Sequence, residues 1–484
     1  VLSDAFRPVE ATPNFHSHTV IAHAPYLGKA QLTHGGHSGK IEATKSMKNQ
    51  FIRIIALGLL LHGSVFAQTP VRFSGAVNFS DGSGPYSVAT ADFNRDGNLD
   101  VVVVNNSGGN VAVLLGDGKG GMTLKTNCPA GIVPEGVGAG LFNTNGIPDM
   151  VASTTYGNAA LYFKGVGDGN FMPSSSLNLN ITGGAPSRVL TGDFNHDGKL
   201  DFVVAVMPDG ATTFLGNGDG TFQSAIPAFV STGNGSAAAG DLNRDGNLDL
   251  VLPNSTAKGV YVLLGKGDGT FGPATNFNVP ISLASSLYAL AVADLNHDGK
   301  PDVVAVEQLA SNAVTVMMGD GTGKLTILTN YALSYGAVSV AIADLNDDGI
   351  PDLLVGTLGG YIQVMLGKGD GTFVQDARLA VPGTAGIVVA DFNNDGQPDI
   401  VSVGAGNISI LLNEFLPPLQ IAQAGTQVVL SWPTYATGFQ LATTTNLAAA
   451  GSWSVMTNTP TVIGSTKVVT NSAGNAAQFY QLQD

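Results

Sequence analysis

A nine-residue stretch, Asp92-Phe93-Asn94-Arg95-Asp96-Gly97-Asn98-Leu99-Asp100, recurs along the chain and restricts its fold more than any other feature. Oxygen-bearing side chains stand at positions 1, 3, 5 and 9, and Gly stands at position 6. Alternate residues of a tight loop can turn inward toward one hard cation, which takes about six to eight oxygen ligands. Gly at position 6 permits the left-handed turn that brings position 9 back, and position 7 offers its backbone carbonyl. Calcium loops flanked by helices close on a Glu at position 12. Here position 12 is Val103, inside the apolar run Val101 to Val104, so the pattern predicts strand–loop–strand.

The loop returns five times nearly intact and once, from Leu141 to Asp149, in damaged form. First positions at 92, 141, 193, 241, 294, 344 and 391 lie 49, 52, 48, 53, 50 and 47 residues apart. A period of about 40–50 residues holding several short strands is the signature of a propeller or solenoid. With position 7 acting through its carbonyl, the expected ligands of the first loop are Asp92, Asn94, Asp96, Asn98 and Asp100. The next intact loops offer Asp193, Asn195, Asp197, Lys199 and Asp201, then Asp241, Asn243, Asp245, Asn247 and Asp249. Asp294, Asn296, Asp298, Lys300 and Asp302 follow, then Asp344, Asn346, Asp348, Ile350 and Asp352. The last set is Asp391, Asn393, Asp395, Gln397 and Asp399. Pro301, Pro351 and Pro398 at position 8 hold the residue before them extended, which aims its carbonyl. The damaged copy keeps Asn143, Asn145 and one carboxylate, Asp149, and is expected to hold no ion. The expected cofactor is therefore Ca²⁺, five or six ions per chain.

These loops account for the acidity. Three Asp in each of six loops make up half of the 36 acidic residues, and six Ca²⁺ would bring the net charge of −15 to about −3. The acids read as cation cages rather than as an acidic surface, and nothing points to nucleic acid. Cys128 is the only cysteine, so no intramolecular disulfide forms and calcium would supply the cross-linking.

Residues 1–46 carry five of the eight His (His16, His18, His23, His34 and His37) without regular ligand spacing, hydrophobic periodicity or a strand pattern. A metal-binding tract is the rival reading. Met47 opens a basic segment, Ile54 to Leu61 is apolar, and Val65-Phe66-Ala67 precedes Gln68. That order is a secretory signal peptide over 47–67 with cleavage after Ala67, its apolar run too short to span a bilayer. Met47 is thus the expected start, 1–46 mistranslated upstream sequence without order, and the mature protein secreted or on the cell surface.

From residue 68 to 416 each unit reads as four strands, closing on a Gly-Asp-Gly turn such as Gly216 to Phe222. Turn chemistry, not ligation, explains the Asp there. The seventh unit lacks its outer strand, and Arg72 to Phe79 resembles the outer strands of other units. The N-terminal segment is expected to complete that unit and remove an exposed edge. The fold class is all-β: a seven-bladed β-propeller followed, over 417–484, by a small β-sandwich. Trp432 and Trp453 in that second domain are expected in its core rather than as a sugar platform.

The units resemble the FG-GAP/VCBS repeat family, whose blades also build integrin α-subunits. The motif Asp-Phe/Leu-Asn-x-Asp-Gly-x-Leu/Pro-Asp at 193–201 and 391–399 carries the resemblance, with the Gly-Asp-Gly-Thr-Phe turn. The Leu430-Ser431-Trp432 and Gly438-Phe439-Gln440-Leu441 segments resemble fibronectin type III modules more weakly. The family resemblance implies loops between the two inner strands of each blade and ligands on the opposite face or the blade edges. It implies no single activity, because the family spans adhesion, carbohydrate recognition and a few lyases.

No Gly-x-Ser-x-Gly, His-Glu-x-x-His or phosphate-binding loop occurs, and beyond the signal peptide only His196 and His297 remain, at position 4 of two loops. Both read as solvated loop residues. The expected function is a monomeric, non-catalytic recognition or adhesion protein for an extracellular protein or glycan. The alternative is a calcium-dependent polysaccharide lyase, which would need Arg, Lys and Tyr gathered at one mouth of the ring. Peptide mapping of secreted protein is expected to begin at Gln68; a peptide from residues 1–46 would overturn the assigned start.

Overall fold

The structure is a computed structural model. It describes residues 20–22, 71–80, 84–173, 175–180, 184–208, 210–229, 236–254, 258–279, 286–308, 312–414, 419–424, 427–433, 440–445, 454–463, 466–472 and 478–483. The chain divides into two compact units, one over residues 70–415 and one formed by residues 1–69 with 416–484.

In the first unit the β-branched runs make strands, and the Asp–Gly loops separate them. Pro85–Ala91 leads into the first loop, Asp100–Asn105 leaves it, and Asn110–Gly116 and Met122–Pro129 complete an antiparallel sheet in chain order. Asp100–Asn105 is buried along its whole length, whereas Met122–Pro129 is largely exposed. The reason is packing on both faces. Val102 and Val104 join a core with Met150, Ala152 and Phe163 of the next sheet. Their neighbours Val101 and Val103 point the other way, into a core with Val401, Val403 and Ile408. Alternation along a strand thus feeds two cores, and burying each Val is worth about 1.5–3 kcal/mol. Six more four-stranded sheets follow the same plan, and cores between consecutive sheets arrange them as a β-propeller.

The final sheet takes its outer strand from the other end of the unit. Val77–Ser80 pairs antiparallel with Asn407–Leu411, Val77 opposite Ile410, as the sequence implies. Hydrogen bonds between neighbours add to the cores. The second Gly of a Gly-Asp-Gly turn or its counterpart donates to the position-2 carbonyl of the preceding loop, as in Gly169 to Phe93 (3.2 Å) and Gly220 to Phe142 (3.1 Å). Gly120 makes the same bond to Phe392, joining the first sheet to the last loop at 3.3 Å. Gly120 sits at φ +83°, and a Cβ there would meet Leu412 at 2.7 Å, so the turn's glycine is required by docking as well as by conformation.

The second unit contains two four-stranded sheets. One orders Gln420–Ala424, Gln427–Pro433, Thr466–Ser472 and Thr461–Ile463. The other orders Val20–Ala22, Gln478–Gln483, Gln440–Thr444 and Ser454–Val455, so a strand is present where the sequence pattern of 1–46 suggested none. Leu430, Trp432 and Val469 of the first share one core with Leu441, Tyr480 and Leu482 of the second. Trp432 is a core residue; Trp453, residues 47–67 and the histidines of the N-terminal tract lie outside the described residues. Among the described residues, no helix is long and apolar enough to cross a membrane.

Deleting residues 71–80 is expected to expose the edge of Asn407–Leu411, lower the melting temperature by several degrees and promote self-association. Differential scanning fluorimetry with light scattering measures both; an unchanged melting point would refute the closure.

Candidate functional site

Each intact repeat loop is built on two left-handed residues and a buried carboxylate. The Gly at position 6 takes a positive φ throughout, from 71° at Gly146 to 91° at Gly246. Position 4 does so as well in the six intact loops: Arg95 63°, His196 59°, Arg244 60°, His297 58°, Asp347 55° and Asn394 61°. Non-glycine residues rarely adopt this conformation, though Asn, Asp and His do so more readily than most.

Position 1 receives the far side of the turn. Asp92 accepts from the backbone N–H groups of Asp96 (3.2 Å) and Gly97 (3.0 Å). The side-chain oxygen of Asn94 accepts from Asp96 N at 2.9 Å while its amide nitrogen donates to Asp96 Oδ2 at 2.9 Å. Asp96 accepts from Asn98 N at 2.8 Å, which holds its carboxyl below the usual carboxylate range. Asp241, Asn243 and Asp245 repeat the pattern, as do the loops beginning at Asp294, Asp344 and Asp391, where Asn296 contributes its oxygen alone. In the loop beginning at Asp193, Gly198 N donates to Asp193 and Asp197 N to Asn195.

Position 9 carries a second role that spacing did not disclose. Asp100 Oδ2 accepts from Phe93 N at 2.9 Å and Oδ1 accepts from Gly116 N at 2.9 Å, so one buried carboxylate ties the loop to the end of the next strand. Asp201, Asp249, Asp302, Asp352 and Asp399 repeat both bonds. Burial pushes Asp100, Asp249, Asp302 and Asp399 up to about 6 and Asp352 to about 7, against the pull of the backbone donors. Asp201 is raised for the same reason.

Among the described residues, no three His, Cys, Asp or Glu side chains form a ready-made metal cluster. Position 3 is an amide throughout, and the loop carboxylates are occupied with backbone N–H groups. The donor chemistry nonetheless fits a hard cation. In the six intact loops every side chain at positions 1, 3, 5 and 9 brings oxygen, an ionised carboxylate keeps lone pairs beyond these bonds, and a positive charge nearby would favour ionisation of the buried position-9 acids. In two loops the chain places a cation beside the position-5 acid. Lys199 pairs with Asp197 at 3.2 Å and Lys300 with Asp298 at 3.1 Å, so these position-7 residues act through side chains too.

The damaged copy surrounds its position-9 acid differently. Asp149 Oδ2 accepts from Asn143 Nδ2 at 2.6 Å and from the Tyr162 hydroxyl at 3.0 Å. Tyr162 stands where the other units carry Val113, Thr213, Val262, Val316, Val364 and Ile410. That aberrant residue was the signal available in the sequence, and it passes as an ordinary core aromatic there.

Position 4 corrects another expectation. His196 and His297 are not merely solvated. His196 Nε2 hydrogen-bonds Asn247 Oδ1 of the next loop at 2.8 Å, and His297 Nε2 donates to the Gly349 carbonyl at 2.7 Å. Gln397 Nε2 reaches back to Asp347 Oδ2 at 3.1 Å, and Asn394 Nδ2 donates to Asn98 Oδ1 at 2.9 Å, from last loop to first. The left-handed residue is therefore the link between loops.

At the other end of the innermost strands lies a cavity of about 170 Å³ lined by Tyr86, Glu135, Arg188, Ser236, Tyr288 and Val338, among others. Tyr86 precedes its loop by six residues, about 20 Å along a strand. The Tyr86 and Tyr288 hydroxyls, from the first and fifth sheets, meet at 3.4 Å.

The FG-GAP-like repeat pattern matches residues 142–204, 193–252, 241–305, 298–355 and 344–402. These segments together cover more than half of the chain, which belongs to the FG-GAP-like repeat family. No curated protein matches it. Among solved structures it is similar to BBS1N in complex with ARL6DN, soaked with lead, at TM-score 0.53 and 12% identity over 71% of this chain and 98% of that one. The mercury-soaked crystal of the same complex gives TM-score 0.52 and 12% identity over 70% and 96%. That likeness shows the fold alone.

The position-9 carboxylates set a pH dependence. An acid at about 3.8 unfolded and about 6 folded binds more protons in the native state across that window. Ion-free stability therefore falls as pH rises from about 4 to 6, by up to about 1.4 kcal/mol per pH unit for each proton held. In chelator the melting temperature is expected to rise on acidification from pH 7 to pH 5. With calcium, which needs ionised ligands, its stabilising increment is expected to shrink over the same range. Parallel melting curves would refute the assignment.

Proposed function

We propose that the chain is a secreted, calcium-binding, seven-bladed β-propeller that serves as a non-catalytic recognition or adhesion protein for an extracellular protein or glycan. The six loops from Asp92–Asp100 to Asp391–Asp399 would hold the ions. The observation that carries this reading is their repeated all-oxygen donor set ending on a buried carboxylate of raised pKa. The Leu141–Asp149 loop, closed by Asn143 and Tyr162, would bind none. The seven sheets would be the blades of the ring, and the two C-terminal sheets an accessory sandwich of fibronectin type III type. The BBS1N fold, solved with a protein bound, supports a role in protein recognition.

One observation bears on the alternative, a polysaccharide lyase. Arg188, Tyr86 and Tyr288 do gather around the cavity, the residue types that such chemistry needs. Burial with the Tyr288 contact, however, pushes the Tyr86 hydroxyl far above its ordinary value. A phenol that resists ionisation donates hydrogen bonds and makes a poor base, which weighs against Tyr86 in that role.

Calorimetric titration of residues 68–484 with calcium is expected to give five or six sites at about 10⁻⁴ to 10⁻³ M and a rise of several degrees in melting temperature. Stoichiometry near zero, or no stabilisation, would overturn the calcium reading.

A further inference from the structure

The cavity lining is made by the irregular part of the innermost strands. Pairing with the second strand breaks register between Pro85 and Ser87, Pro134 and Val137, Pro186 and Val189, Leu287 and Ala289, and Ala337 and Ser339. The residues inside those breaks include Tyr86, Glu135, Arg188, Tyr288 and Val338, all of which line the cavity. A β-bulge re-aims a side chain that regular pleating would send elsewhere, and here five bulges aim at one space.

Its chemistry is uneven. Among the described residues, no carboxylate lies within ion-pair distance of Arg188. It lines the cavity, and burial lowers its pKa below the usual arginine value, with Tyr86 acting in the opposite sense. Glu135 lines the same space, yet its hydrogen bond goes to Thr155 rather than to Arg188, and burial raises its pKa. Ser236, 5% exposed, has a hydroxyl oxygen with no hydrogen-bond partner. An unpaired cation, an unpartnered hydroxyl and two tyrosine hydroxyls therefore surround a space somewhat larger than the cavity of about 150 Å³ that takes benzene.

We propose that this axial cavity binds a small hydroxylated carboxylate of uronic-acid type. Its carboxylate faces the Arg188 guanidinium, whose planar fork matches two oxygens. Its ring hydroxyls face Glu135, Ser236 and the Tyr86–Tyr288 pair. Glu135 explains why a bare anion is the poorer ligand: a carboxylate without hydroxyls meets repulsion there and leaves hydroxyl partners unused. The proposal rests on reading the propeller as a recognition scaffold and is independent of the calcium loops at the far ends of the same strands.

The test is calorimetric titration of residues 68–484 with sodium D-glucuronate, D-glucose, sodium acetate and glycine. Saturable binding of glucuronate at millimolar or lower concentration is expected, with the other three weaker by about tenfold or more. Arg188→Met is expected to weaken glucuronate by about tenfold or more while leaving calcium stoichiometry unchanged. If Arg188→Met does not fold, the Tyr86→Phe/Tyr288→Phe double variant replaces it, with a several-fold loss expected. No saturable heat from glucuronate overturns the proposal, as does equal binding of glucose, acetate or glycine, or unchanged affinity in a folded variant. A calcium titration that fails while glucuronate binds would remove the metal reading and leave this one standing.

Discussion

One buried carboxylate per unit holds the propeller's working end in shape. At position 9 it receives a backbone N–H from the start of its loop and another from the end of the following strand, as Asp100 does from Phe93 and Gly116. Removing it would orphan the buried backbone donors it holds, and each buried unsatisfied group costs about 1–3 kcal/mol. The same placement raises the acid's pKa, because burial disfavours the charge more than the neutral backbone donors favour it. A fold that repeats this arrangement stores an electrostatic demand in each loop, and a bound cation is one way of meeting it.

The damaged loop illustrates another way. Asp149 keeps its backbone bond from Gly165 at 2.8 Å, but Asn143 and Tyr162 add donors from the chain itself. A neutral amide and a phenol supply partial positive charge where the intact loops have an all-oxygen set. Lys199 and Lys300 pair with a different loop acid, Asp197 and Asp298 at position 5, and leave position 9 to its backbone donors. The damaged loop shows that the carboxylate at position 9 belongs to the architecture even where its side-chain partners change.

What the sequence disclosed followed from periodicity. Loop spacing, strand runs and the missing outer strand identified the repeat and the pairing of Val77–Ser80 with Asn407–Leu411, because these depend on residue type at fixed intervals. Three features escaped that logic. Position 4 looked free to vary, yet Arg95, His196 and Asn394 share one left-handed backbone state that sequence variety conceals. Tyr162 looked like core, because its hydroxyl partner lies 13 residues earlier. The cavity was hidden most completely. Arg188, Glu135 and the two tyrosines are scattered across the sequence, and a register break has no residue signature comparable to Asp-x-Asn-x-Asp-Gly.

The two ends of the innermost strands consequently differ in what substitution can change. At the loop end, Asn394 bonds to Asn98 and Gly120 to Phe392, so a change in one loop is felt by its neighbour. At the cavity end five of the strands contribute an aimed side chain, and two of these, Tyr86 and Tyr288, meet. The residues there are unlike one another, Tyr, Glu, Arg and Val from equivalent breaks in register, although the strands that carry them follow one pattern. Divergence is cheapest where a bulge presents a side chain to open space, since no regular pairing or close packing has to be rebuilt. A repeat protein that needs an asymmetric site on a symmetric frame would place it at that end.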